Sequence, residues 1–291
     1  MAVFYRRLPK FEYLQPDSID ETLSLLAANK GEAKVAAGGT DLIVQLRRRE
    51  IPTPKYVIDI KNLSQLKSIV YDKSGLRIGA LAPITAIVES SDVKSKYPAI
   101  AQAAINIASL QIRNRATFAG NICNAVPSAD SAPALLVLDA AVKLKSSAAE
   151  RSVPIKDFFT GPRKTVTAPD EIVTGIFVPE PPTNSKSVYL KHSQRHSMDL
   201  ALVGVAACAV KEGDTCKEIK IGLGAVAPVP MRAVKTEGIL AGKKISKELI
   251  DEAAVTAAAE CSPIDDHRAS AEYRRDIVQV LVRRALTDVL L

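Results

Sequence analysis

A chain of 291 residues, 47% hydrophobic and 24% charged, has the make-up of a globular protein and exceeds the usual size of one core, which predicts two domains. Its net charge of +7 suits an anionic cofactor or an acidic partner surface, whereas dispersed basic residues and 4% aromatics argue against nucleic acid. No apolar run is long enough to span a bilayer, Met1-Ala2-Val3-Phe4-Tyr5-Arg6-Arg7 lacks a signal-peptide core, and Cys123, Cys208, Cys216 and Cys261 form no CxxC pair. The expectation is a cytoplasmic protein with reduced thiols, and with no disulfide framework, metal site or Fe–S cluster of its own.

Taken in order, residues 9–14 read as a short extended segment. Ser18-Ile19-Asp20-Glu21 has capping-box spacing and opens a short helix carried by Leu23, Leu25 and Leu26. Lys34-Val35-Ala36 is a short strand. Ala37-Gly38-Gly39-Thr40-Asp41 follows it, and Leu42, Ile43 and Leu46 then repeat at helical spacing as far as Arg47-Arg48-Arg49. Residues 56–60 form a strand after the break at Ile51-Pro52-Thr53-Pro54. Residues 66–71 and 76–79 alternate as a hairpin around Asp72-Lys73-Ser74-Gly75. Pro83-Ile84-Thr85 opens another helix, and residues 99–109 predict a longer buried one.

Residues 111–139 are crowded with small and amide side chains, which predicts a poor core and a ligand-lining loop, closed by an apolar helix that begins at Asp130-Ser131-Ala132-Pro133. β-like runs follow at 141–144, 152–155 and 172–178. Glu180-Pro181-Pro182-Thr183-Asn184-Ser185 is the clearest linker. Beyond it, three strands (187–191, 200–210, 216–223) precede helices at about 234–240, 247–261 and 271–290. That order predicts an antiparallel sheet with helices on one side.

Two stretches carry chemistry. The chain's one Gly-Gly pair, Gly38-Gly39, sits between a strand and a helix, where bare backbone and unpaired N–H groups favour an anion. The same stretch also reads as a plain turn capped by Thr40 or Asp41. His192 and His196 have metal spacing for a helix, but they lie in a polar segment between strand-like runs and read as surface histidines. Arg47-Arg48-Arg49 reads as a solvated helix end that complements the dipole.

Further residues complete an ordered set with Ala37 to Asp41: Gln111-Ile112-Arg113-Asn114, Thr117-Phe118-Ala119-Gly120-Asn121, and Pro127-Ser128-Ala129-Asp130 with Ala134-Leu135-Leu136. Gly161-Pro162-Arg163-Lys164-Thr165, Asp170-Glu171-Ile172-Val173, Tyr189-Leu190-Lys191 with Arg195 and Asp199, and Glu272-Tyr273-Arg274-Arg275 continue it. In order and spacing, over nearly its whole length, the chain resembles the flavoprotein (medium) subunit of the molybdenum hydroxylases of the xanthine dehydrogenase and carbon monoxide dehydrogenase type.

The resemblance implies an α+β fold. An FAD-binding domain of the vanillyl-alcohol-oxidase type, built from two α/β subdomains split near 55–60, occupies residues 1–179. A linker spans 180–187, and a C-terminal antiparallel sheet with a helical layer spans 188–291. It also implies noncovalent FAD. Ala37, Gly38, Gly39, Thr40 and Asp41 would hold one side of the pyrophosphate, and Thr117, Gly120 and Asn121 the other.

Asp130 matches a carboxylate that accepts ribose hydroxyls through two free oxygens, and it also suits a helix cap. Val35, Cys123, Ile172 and Val173 match apolar liners of the adenine or flavin. Lys191 matches a basic residue beside the isoalloxazine, and Tyr189 is placed to cover that ring. Ala119 stands where the family commonly has glycine, and negative φ is expected there. Tyr273-Arg274-Arg275 reads either as a cap on the flavin site or as the start of the last helix.

By the same resemblance the chain is an electron-transfer subunit with no catalytic acid, base or nucleophile and no metal of its own. A small subunit would carry two [2Fe-2S] clusters and a large one molybdopterin with molybdenum or tungsten, as a dimer of heterotrimers passing electrons to NAD or another acceptor. The alternatives are a stand-alone FAD-dependent oxidase or reductase of the same fold, and a non-redox module holding another phosphorylated ligand.

Overall fold

A computed structural model describes residues 7–291; the stretch read against a signal peptide lies, apart from Arg7, outside the described residues. The chain begins with β1 (Glu12–Leu14), α1 (Ile19–Ala28), β2 (Ala33–Ala36), α2 (Leu42–Arg48) and β3 (Tyr56–Asp59). Ser18 caps α1 by accepting the Glu21 N–H at 3.0 Å, as the capping-box spacing predicts, while the Glu21 carboxylate turns back to the Asp17 N–H at 2.9 Å, one residue before the cap. The strands form a parallel sheet in the order β1-β3-β2.

Alternation along β3 sends Ile58 into a core with Leu23 and Leu26 of α1, and Val57 into a second with Leu46 of α2, so both faces are covered. Because β3 pairs with both neighbours, the change of sheet falls after Asp59. The change of sheet thus falls at the end of the stretch 55–60.

The next elements are β4 (Ile69–Asp72), β5 (Gly75–Gly79), α3 (Ile84–Glu89), α4 (Ser91–Lys96), α5 (Pro98–Asn106), α6 (Leu110–Arg113), α7 (Phe118–Asn124) and α8 (Ser131–Val137). Then come β6 (Ala141–Lys145), β7 (Glu150–Pro154), the small hairpin β8 (Phe159–Gly161) and β9 (Lys164–Thr165), and β10 (Ile172–Pro179). The five longer strands make an antiparallel sheet in the order β4-β5-β10-β6-β7. Leu76, Ile78, Val142, Leu144, Ile176 and Val178 project from it into the largest core, where they meet apolar residues of α3, α5, α7 and α8.

Two expectations change in this region. The single helix expected over 99–109 stops at Asn106: Ile107 is extended, Ala108 has φ +47°, and Ser109 caps α6 by accepting the Ile112 N–H. The expected loop after residue 111 contains α7, whose inner side (Phe118, Ala119, Ile122) is core and not ligand lining. Small residues serve here to let helices approach closely.

The last elements are β11 (Ser185–His192), β12 (Val203–Glu212), β13 (Thr215–Gly224), β14 (Met231–Arg232), α9 (Val234–Leu240), β15 (Lys243–Lys244), α10 (Lys247–Glu260) and α11 (Ala271–Leu290). β11 starts at Ser185, so the linker is shorter than the expected 180–187. The sheet is antiparallel, in the order β11-β12-β13-β14 with β15 beside β13. One face (Val205, Ala207, Ala209, Ile221, Leu223) packs on α9, α10 and α11. On the other, Tyr189, Ala206 and Cys208 join the largest core above, against α5 and α8. Coverage on both sides explains why residues 203–209 are buried without interruption. No helix among the described residues is long and apolar enough to cross a membrane.

Candidate functional site

The Ala37-to-Asp41 loop leaves the end of β2 and enters α2. Gly39 has φ +72°, and its carbonyl accepts the Ile43 N–H at 3.0 Å to begin the helix. Asp41 occupies the N-cap position but makes no side-chain cap bond. A Cβ on Gly38 would lie 2.1 Å from the Arg115 carbonyl oxygen and 3.0 Å from the Ala116 Cα. The loop therefore rests directly on the backbone that leads into α7.

At that helix Thr117 is the N-cap, its Oγ1 accepting the Gly120 N–H at 2.9 Å. The Asn121 side-chain oxygen accepts from the Ser131 hydroxyl at 2.6 Å, which ties α7 to the start of α8. Gln45 of α2 donates to Asn124 of α7 at 2.7 Å. Two helix starts from different sheets are thus held together, each with glycine baring its backbone. Ala119 lies within α7 and is not among the residues of positive φ, so the methyl that replaces the family's glycine is accommodated.

Cys123 is solvent-accessible, yet surrounding protein pushes its thiol up to about 12, which keeps it protonated and a poor nucleophile. The Asp41 carboxyl, at the start of α2, is pushed up by desolvation, with Arg163 opposing. Arg163 turns between β8 and β9 with φ +59°, and its N–H donates to the Ala125 carbonyl at the end of α7 at 2.8 Å. Nothing in the local sequence marks Arg163 as reaching this place. The α7 start was not marked either: Thr117 is a favoured N-cap residue, but no Glu or Gln follows three residues later to complete a capping box.

Val35 and Ala37 pack partly buried against the core that contains Ile172, whereas Val173, the next residue, is buried in the largest core. These two residues of β10 sit on either side of the line between the sheets.

Asp130, Tyr189 and Lys191 come together from opposite sides of the linker. The Tyr189 hydroxyl donates to Asp130 Oδ1 at 2.6 Å, and Lys191 Nζ donates to Oδ2 at 2.9 Å. This corrects two expectations. Asp130 is buried and each of its oxygens already accepts one hydrogen bond, so neither is wholly free as expected for a ribose. Tyr189 is 2% exposed, with its ring against Gly204, so it offers no open face to cover another ring. Burial raises the Asp130 carboxyl, with Lys191 and Tyr189 opposing, and also pushes the Tyr189 hydroxyl well up, keeping it a neutral donor.

The alternatives for residues 273–275 resolve towards the last helix. Ser270 caps α11 by accepting the Tyr273 N–H at 3.1 Å, and Arg274 is buried, donating to the carbonyls of Leu202 at 2.8 Å and Ala225 at 3.4 Å. His192 lies at the end of β11, 3.0 Å from the Tyr273 hydroxyl, and no cluster of three metal-ligating side chains occurs among the described residues.

This donor set fits FAD. Two joined helix starts suit the paired phosphates of a dinucleotide. Gly38, Gly39, Thr40, Gly120 and Asn121 would hold the phosphates.

The chain belongs to the family of FAD binding domains in molybdopterin dehydrogenases, which matches residues 9–181; the C-terminal domain of CO dehydrogenase flavoproteins matches residues 188–289. It is a flavoprotein subunit of the molybdenum-containing oxidoreductases by family. Its relatives include the glyceraldehyde dehydrogenase medium chain of Sulfolobus acidocaldarius, 36% identical and covering 97% of this chain and 99% of that one. The xanthine dehydrogenase FAD-binding subunit of Escherichia coli O157:H7 is 33% identical, covering 95% of this chain and 94% of its own. Among solved structures, a carbon monoxide dehydrogenase from Hydrogenophaga pseudoflava superposes with a TM-score of 0.94 at 33% identity, over 97% of this chain and 98% of that chain.

Proposed function

We propose that this chain holds FAD between an iron–sulfur subunit that delivers electrons and a final acceptor, NAD or another oxidant, within a complex whose large subunit oxidises the substrate at molybdopterin. The observation that carries the reading is the contact of Gly38 with Arg115 and Ala116, which makes one site of two glycine-bearing helix starts. Relatives described as medium chains and FAD-binding subunits support assembly with small and large partners, arranged in this reading as a dimer of heterotrimers.

Bound FAD supplies the two-electron chemistry. The chain's own residues bind the phosphates at Gly38 to Asp41 and Thr117 to Asn121, line the rings with Val35, Cys123, Ile172 and Val173, and set the charge near the flavin at Lys191. Four unpaired cysteines support a reducing, cytoplasmic setting.

Purified protein reconstituted with FAD should show a bound-flavin absorption envelope. Its absence would sink the reading. Co-expression with candidate partners should give a complex that contains Fe–S and molybdopterin chains. A chain that instead turns over a substrate by itself would favour the stand-alone oxidase.

A further inference from the structure

We propose that Asp130 is the counter-ion of Lys191: its carboxylate holds the ammonium in place between the two domains and cancels its charge, so that FAD lies beside a neutral pair and not beside a free cation. This rests on the reading that places Lys191 next to the isoalloxazine.

An ammonium has three protons, and each finds an acceptor: Asp130 Oδ2 at 2.9 Å, the Asp199 carbonyl at 2.9 Å and the Asn106 carbonyl at 3.1 Å. The pair is largely withdrawn from water, with 5% of the Lys191 side chain and 8% of the Asp130 side chain exposed. Solvent therefore screens neither charge, and the neutralising partner has to be protein. Among the described residues Asp130 is the one carboxylate within ion-pair distance of Lys191. The Asp199 carboxylate faces Arg195 instead, accepting its N–H at 2.9 Å.

The other Asp130 oxygen is fixed by the Tyr189 hydroxyl, which lies on the same strand face as Lys191, two residues earlier. The carboxylate comes from the start of α8 in the FAD-binding domain, and both its donors from β11 in the C-terminal domain. The C-terminal domain thus delivers a cation to the cofactor region, and the FAD-binding domain neutralises it on arrival. Asp130 acts through Lys191, as a positioning residue.

The test uses the full chain loaded with FAD, reading the flavin midpoint potential and the sulfite dissociation constant, both of which report net positive charge beside the ring. Asp130→Asn keeps the shape and a hydrogen-bond acceptor while leaving Lys191 uncompensated. It should raise the potential and tighten sulfite binding roughly tenfold, the scale of one unit charge acting across several ångström of protein. Asp130→Ser makes the same comparison should Asn perturb folding, which the thermal midpoint of the FAD-free chain reports.

The double variant Asp130→Asn/Lys191→Met should return near the wild-type value, and Lys191→Arg should stay there. A rise in Asp130→Asn that survives in the double variant would overturn the inference, since the effect would not pass through Lys191. A fall in Lys191→Met with no rise in Asp130→Asn would overturn it too, while leaving Lys191 beside the ring. No movement in any variant, with FAD retained, would remove Lys191 from the ring and overturn both.

Discussion

Gly38 and Gly39 are adjacent in sequence and identical in chemistry, yet they do different things. A methyl on Gly38 would meet the Arg115 carbonyl at 2.1 Å, and backbone cannot swing aside as a side chain can. A methyl on Gly39 has room, with Ile43 at 3.6 Å, and pays only for φ +72°. Gly39→Ala should therefore cost about 1 kcal/mol. Gly38→Ala should part the two helix starts at a cost of about 1–3 kcal/mol. FAD content per purified chain should fall more for Gly38→Ala than for Gly39→Ala; equal losses would mean that the two helix starts are not one site.

The sequence announces that a backbone must be bare at this turn, but not which glycine is needed for what. That depends on a neighbour some 77 positions away in the chain (38 to 115). Asp130 was readable as an important carboxylate for similar reasons, whereas its partners, Tyr189 and Lys191, lie beyond the linker and could not be paired with it from spacing alone.

At the scale of elements, helices with a visible apolar period were legible, the short α2, α8 and α9 among them, whereas α7 was not. α10, with 14 residues, and α11, with 20, fall where periodicity places them, because two or more turns repeat the pattern. α7, Phe118–Asn124, is built largely of small and amide side chains, so no apolar period emerges and the stretch reads as a loop.

The start of α11 carries a buried anchor that sequence left undecided. Arg274 satisfies the carbonyls of Leu202 and Ala225, and its Nη2 lies 3.0 Å from Asp266 Oδ1. Arg274→Ala strands these groups and should destabilise the chain by about 3–5 kcal/mol, read as a lower thermal midpoint. Burial pushes the Asp266 carboxyl up, but hydrogen bonds from the Arg268 side chain and the backbone N–H groups of Arg268 and Ala269 outweigh it and hold the carboxyl well below its ordinary 3.8. A depressed folded value means that the stabilisation is fully present above the ordinary value and is lost as pH falls towards the folded one. The difference in thermal midpoint between wild type and Asp266→Asn should stay constant from neutral pH down to about 5 and shrink below about 4. A difference that grows on acidification would contradict the sign.

Among the described residues three larger sheets and one small hairpin make up the molecule, and the joints between the larger sheets are unequal. The C-terminal sheet shares a core with α5 and α8, where Tyr189, Ala206 and Cys208 are buried. The first, parallel sheet is attached more lightly. Leu81 and Ile172 enter its core from the neighbouring subdomain, and the polar links are Lys30 to Asp170 at 2.8 Å, Gln45 to Asn124 at 2.7 Å and Arg163 to Glu50 at 3.6 Å. Such exposed ion pairs contribute little. A ligand gripped by both α2 and α7 spans this weaker joint, so it should suppress local opening there more than elsewhere.

Hydrogen exchange compared with and without FAD should therefore slow in two separate segments, 37–48 and 117–124, while α10 and α11 change little. In Gly38→Ala, at FAD concentrations that saturate the wild type, both segments should lose protection together. Protection confined to one of them would mean that FAD is held from one side, and that the contact at Gly38 is packing between subdomains without a share in binding.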